Sequence, residues 1–125
     1  MGTAITDDQG DYSLKFSPAA TQLLNQPDRP DAIFTTNSLL TAGTFQTVLD
    51  SGLRVPEDIA IVGFDEAPWI SLVRPRITVI AQPTLEIGRM ATTMLLERIS
   101  NPNTPAREVI LKGKLLVGES SMRSK

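Results

Sequence analysis

Arg54-Val55-Pro56-Glu57-Asp58-Ile59-Ala60-Ile61-Val62-Gly63-Phe64-Asp65-Glu66 is the stretch on which the fold turns. Its centre, residues 59–64, is an unbroken apolar run, short enough for a strand and too short for a helix. Such a run suits a strand buried on both faces, as in parallel sheets. The run stops abruptly at Asp65, where the chain leaves the core. Before it, Val55-Pro56 marks a loop.

The neighbouring segments repeat this plan. On the N-terminal side, residues 31–36 (Asp-Ala-Ile-Phe-Thr-Thr) read as a strand, and Asn37-Ser38 caps a helix that ends at Ser51 with Gly52 behind it. Further back, Ser17-Pro18 predicts a helix to about Asn25, preceded by a short strand at residues 4–6. On the C-terminal side, residues 65–75 are irregular and carry Pro68, Trp69 and Pro75. Residues 77–81 form the next strand, about 85–99 a helix, and 109–117 a last strand interrupted at Gly113. The tail from Glu119 to Lys125 reads as polar and frayed. Strands alternating with helices predict an α/β fold: a parallel-sheet, Rossmann-like layer structure.

Composition narrows the function. The 125 residues suffice for one core, with 41% hydrophobic and 21% charged residues. Twelve Lys+Arg against 14 Asp+Glu leave a net charge of −2, a poor surface for gripping phosphates. With no Cys and no His, thiolate nucleophiles, Ser-His-Asp triads and Cys- or His-built metal sites are excluded. No metal or cofactor site is expected. No stretch nears the ~20 apolar residues of a membrane span, and the N-terminus lacks the form of a signal peptide, so the expected location is cytoplasmic.

In open α/β sheets ligands bind at the carboxyl ends of the strands. Asn37, Asp65 (with Glu66 beside it) and Gln82 each follow an apolar strand. A carboxylate and two amides on one rim can hydrogen-bond several hydroxyls of a sugar or polyol. Each also has a plainer role. Asn37 can simply cap its helix, Asp65 can fold the next turn, and Gln82 before Pro83 can be a solvated hinge residue. Trp69 beside Pro68 can be loop packing.

The run 54–66 resembles the lactose/galactose-repressor (LacI/GalR) family of bacterial transcription regulators. Residues 31–34 with Asn37 and Gly43, residues 77–79 with Gln82-Pro83 and Gly88, and Leu115-Leu116-Val117 with Glu119-Ser120-Ser121 resemble it in the same order. The resemblance implies part of a type I periplasmic-binding-protein-like effector domain, whose two lobes hold a small molecule between them. It implies ligand contacts at Tyr12 (in Asp11-Tyr12-Ser13), Asn37, Asp65 and, at a crossing between lobes, Gln82. It implies that residues 83–101 are a crossing helix of the other lobe. It also implies a homodimer, with Ala42, Gln46, Leu49 and Trp69 at the interface.

Some family features have no counterpart here. The helix-turn-helix head, most of the first lobe, and a central strand of the second lobe with its following helix are absent from these 125 residues. Ser38 replaces the usual Asp. Residues 1–125 are therefore expected to be a partial effector-binding and dimerisation domain of a LacI-type regulator. Operator DNA would be reached only through a separate N-terminal domain. A sugar-binding protein of a transport system shares the fold and is the alternative. An enzyme using Asp65 and Glu66 as an acid–base pair is a third reading, with no activated nucleophile to accompany it.

Overall fold

The computed structural model describes residues 18–123. The expected strand at 4–6 and the Tyr12 segment lie outside the described residues. Within them the order is α1 (Pro18–Leu24), β1 (Ala32–Thr35), α2 (Ser38–Asp50), β2 (Ala60–Phe64), β3 (Thr78–Ala81), α3 (Thr84–Ser100) and β4 (Lys114–Leu116). Short 3-10 turns occupy Pro68–Ser71 and Glu119–Ser121.

The sheet runs β1-β2-β3-β4. β1, β2 and β3 are parallel, with Thr35 opposite Gly63 and Val62 opposite Thr78. The prediction of parallel strands holds for these three. β4 departs from it, pairing antiparallel to β3 with Val79 opposite Leu116. An antiparallel edge strand on a parallel sheet is common.

The core lies between the sheet and α2. Ile59, Ile61, Ile77, Val79 and Val48 are almost wholly buried, with Phe45, Val55 and Ile70 around them. α2 contributes Thr41, Thr44, Phe45, Thr47 and Val48 as its buried side, while Leu49 stays exposed. α1 packs against α2 on the same side. Buried threonines on a helix need partners. The Thr35 and Thr41 hydroxyls bond each other at 2.7 Å, and Thr47 donates back to the Gly43 carbonyl at 2.7 Å.

Burial of β2 on both faces does not hold. Ile61 and Gly63 are buried, but Ala60, Val62 and Phe64 are only half-buried. The cause is layering: α2 covers one face, and no described helix covers the other. There Phe34 is 55% and Leu115 58% exposed.

Two other expectations are corrected. The last strand is confined to Lys114–Leu116; residues 109–113 run back from α3 without ladder bonds. The tail is not frayed through its first residues, because the buried Ser120 hydroxyl accepts the Thr78 N–H at 2.9 Å and donates to the Ile61 carbonyl at 2.6 Å. Thr78 in turn donates to the Gly118 carbonyl and accepts the Gly118 N–H. Arg123 reaches further, donating to the carbonyls of Asp31 and Pro56 at 2.7 and 3.0 Å.

α3 stands apart. It has no buried residue and packs against no other described element. Leu85, Leu95, Leu96 and Ile99 are all exposed. It runs out from the sheet and the chain returns along it, tied by an Arg107–Glu97 ion pair and by Arg98 donating to the Thr104 carbonyl.

Candidate functional site at the carboxyl ends of the strands

The parallel register brings Asn37, Asp65 and Gln82 to one rim. Asn37 and Asp65 each lie two residues past the paired Thr35 and Gly63. Adjacent strands are about 4.8 Å apart, so these two residues leave the sheet side by side. Gln82 follows β3 directly, on the strand next to β2.

Asn37 is the N-cap of α2. Its backbone is extended (φ −159°, ψ 167°), and its Oδ1 accepts the Leu40 N–H at 2.8 Å. The capping role is therefore real, and it engages only the oxygen. The amide nitrogen has no partner among the described residues and is available as a donor at the rim.

Asp65 adopts φ 76°, the sole positive-φ non-glycine among the described residues. The left-handed conformation costs an L-residue about 1–2 kcal/mol, and Asp tolerates it better than most. It turns the chain out of β2 while the Asp65 N–H still bonds the Ile80 carbonyl at 3.0 Å. The side chain is half-buried, and its Oδ1 accepts from the Gln82 amide nitrogen. The second carboxylate oxygen is left as an acceptor. Glu66 beside it is exposed and makes no side-chain hydrogen bond among the described residues.

The structure thus brings Asp65 and Gln82 into contact and sets Asn37 on the adjacent strand end. Tyr12 lies outside the described residues. Trp69 is half-buried against the main core, as the loop-packing reading expects. Gln46 and Leu49 are exposed on α2 and Ala42 is half-buried. Gln46 also donates to Asp50 at 2.9 Å.

Chemically the rim offers the two N–H donors of the Asn37 amide, one carboxylate oxygen of Asp65 as acceptor and the groups of Gln82, which suits neutral polyhydroxyl ligands. Among the described residues no His, Cys, Asp and Glu are grouped so as to hold a metal ion. No described helix is long and apolar enough to cross a membrane. The clear carboxylate perturbations lie elsewhere. Asp58 is held down to about 2 by the side chain and backbone N–H of Arg54, and Glu119 is lowered by its own N–H and that of Arg76.

Sequence reasoning did not foresee the Asp65–Gln82 bond. The only signal was indirect: both residues follow strands, and a Pro comes straight after Gln82.

Residues 3–121 match the sequence family described as periplasmic binding protein-like domain. The ribose operon repressor of Haemophilus influenzae is 36% identical over 98 residues, which is 78% of this chain and 30% of the repressor. The PurR transcriptional repressor of Proteus mirabilis is 37% identical over 109 residues, 86% of this chain and 32% of that protein. The chain therefore spans about a third of the length of these relatives. In structure it is similar to a LacI family transcriptional regulator from Enterococcus faecium with bound ribose. That likeness has a TM-score of 0.72 and 28% identity, over 85% of this chain and 39% of the regulator. A LacI family regulator from Arthrobacter in complex with lactose is similar at TM-score 0.68 and 34% identity, covering 83% and 39%.

Proposed function

Since the chain belongs to the LacI/GalR family of periplasmic-binding-protein-like domains, we propose that it is part of the domain with which a bacterial transcription regulator senses a sugar or related polyol. The observation that carries this reading is the alignment of Asn37, Asp65 and Gln82 on adjacent strand ends. There a donor and an acceptor remain open beside a backbone turned outward at Asp65. That the similar solved regulators hold ribose and lactose supports a carbohydrate over a charged ligand. That the similar curated proteins are repressors supports regulation over transport and over catalysis.

In this reading the rim is one wall of the ligand site, and Tyr12 adds an aromatic surface to it. Occupancy changes the relation of the sheet to the crossing helix α3, and a cytoplasmic homodimer relays the change to operator DNA held by another part of the regulator. Exposed Gln46 and Leu49, with Ala42 and Trp69, form the surface proposed for the second protomer.

The test is calorimetric titration of a panel of mono- and disaccharides into the protein that carries this chain. Binding of at least one sugar, lost in Asp65→Ala, is expected. Binding of none, or binding indifferent to Asp65→Ala, overturns the site.

A further inference from the structure

We propose that Thr41 is a positioning residue for the rim: its buried hydroxyl, oriented by Thr35, fixes the Asn37 peptide and thereby the placement of the Asn37 amide beside the Asp65 carboxylate. The anchoring of Asn37 stands on geometry alone. Its bearing on sugar binding deepens the functional reading above and rests on it.

Thr35 and Thr41 are both buried, Thr41 completely. A hydroxyl in a core costs free energy unless it is hydrogen-bonded. An alanine or valine could fill either place without that demand.

Each hydroxyl has one proton, and this fixes the direction of the bonds. Thr41 Oγ1 lies 2.8 Å from the Asn37 carbonyl, which can only accept, so Thr41 donates there. Its oxygen is then left as an acceptor toward Thr35, 2.7 Å away. Thr35 therefore donates to Thr41, in preference to the Val62 carbonyl at 3.4 Å. The order is Thr35 to Thr41 to Asn37.

The Asn37 carbonyl also accepts the Thr41 N–H at 3.0 Å, and the Asn37 side-chain oxygen accepts the Leu40 N–H at 2.8 Å. Asn37 is thus held at its carbonyl and at its side chain, which restricts where its amide nitrogen can point.

Bonding of a helical threonine to the carbonyl four residues earlier is ordinary, and Thr47 does it to Gly43 on the same helix. Two things set Thr41 apart. The carbonyl it holds belongs to the cap residue, and its oxygen also meets both strands that lead to the rim. Thr35 lies opposite Gly63 in the register of β1 and β2, and a Cβ on Gly63 would lie 2.7 Å from Thr41 Oγ1. Asn37 and Asp65 each come two residues after this pair. One oxygen therefore sits where the end of β1, the end of β2 and the start of α2 converge.

Two substitutions, made in the protein that carries this chain, isolate that oxygen. Thr41→Ser keeps the hydroxyl and loses a methyl, whereas Thr41→Ala loses both. Urea titration verifies that each variant is folded. Without ligand, hydrogen exchange at Leu40 reports the Asn37 side chain, and the Val48 amide serves as the reference for general destabilisation. Thr41→Ala is expected to speed Leu40 exchange about three- to tenfold relative to Val48, and Thr41→Ser to keep the parent's ratio. An unchanged ratio in Thr41→Ala, or an equal change in both variants, overturns the anchoring.

Calorimetric titration of the sugar panel, D-ribose and lactose included, reads the second half. Thr41→Ala should weaken a sugar that binds about three- to tenfold, and Thr41→Ser should not. The loss should vanish in an Asn37→Asp background, where the amide that Thr41 positions is already gone. A loss that persists there marks a merely structural role and overturns the positioning. Unchanged affinity in Thr41→Ala also overturns it and leaves the functional reading intact. Binding of no sugar in the panel overturns that reading, and with it the bearing on affinity, while Leu40 exchange still decides the anchoring.

Discussion

A Cβ placed on Gly63 would lie 2.7 Å from the Oγ1 of Thr41 and 3.2 Å from a methyl of Val79. α2 therefore rests on β2 at a point where only a hydrogen fits. The contact cannot relax outward easily, since Thr41 is bonded on both sides, to Thr35 at 2.7 Å and to the Asn37 carbonyl at 2.8 Å. Gly63→Ala is expected to destabilise the chain by about 1–3 kcal/mol, as overpacking does. Urea unfolding measures it. In a double-mutant cycle Thr41→Ala should recover part of the loss, so additive effects would show that the two residues do not clash.

Ser120→Ala should cost about 1–3 kcal/mol, because it strands the Thr78 N–H and the Ile61 carbonyl in the core. Hydrogen exchange offers a local check: the Thr78 amide should lose protection more than that of Val62. Equal protection in variant and parent would mean that the Thr78 amide does not depend on the hydroxyl.

Asn37 has two separable jobs, and two substitutions divide them. Asn37→Ala removes the cap and should cost about 0.5–2 kcal/mol of stability. Asn37→Asp keeps the capping oxygen, retains stability, and removes the N–H offered to a ligand. Sugar affinity measured by calorimetry should fall in both. Full affinity in Asn37→Asp would reduce Asn37 to a cap.

The Arg54–Asp58 pair sets an acid limit. Asp58 is lowered from an ordinary 3.8 to about 2, chiefly by hydrogen bonding from the Arg54 side chain and then from its N–H. A carboxylate whose folded value is depressed adds stability above its unfolded value and loses it as pH falls through the folded one. The contribution is therefore complete above about pH 4 and fades toward pH 2. Asp58→Asn should be less stable than the parent at pH 6, and the two should converge in acid. A gap independent of pH in urea titrations would rule out the charge as its cause.

This chain alone should show no specific binding to DNA, given its net charge of −2. Fluorescence anisotropy at physiological salt, with competitor DNA, is the measurement. A sequence-selective signal would contradict it.

Much of the architecture could be read from the residues because it is local. The run at 59–64 and the Asn37 cap specify β2 and the start of α2 through chain-neighbour chemistry. Placing Asn37 and Asp65 on one rim needed only the rule for parallel strands. What escaped prediction depends on distant partners. The β-rich residues 109–117 look like one strand, but only Lys114–Leu116 meet β3. Glu119 to Ser121 look like solvated tail, yet Ser120 finds two backbone groups 42 and 59 residues away in sequence. The Gln82–Asp65 bond spans two strand ends, and nothing in either residue's neighbours announces it.

The Ser120 hydroxyl also orders events in time. A hydroxyl supplied near the end of the described chain bridges β2 and β3, and Arg123 fastens the N-terminal ends of β1 and β2. A ribosome exposes these strands well before it releases residues 118–123. Until then Thr78 and Ile61 have no hydroxyl between them, and the β2–β3 ladder lacks the bridge at its first rung. Among those described, the last residues synthesised thus satisfy backbone groups of strands made 42 and 59 residues earlier.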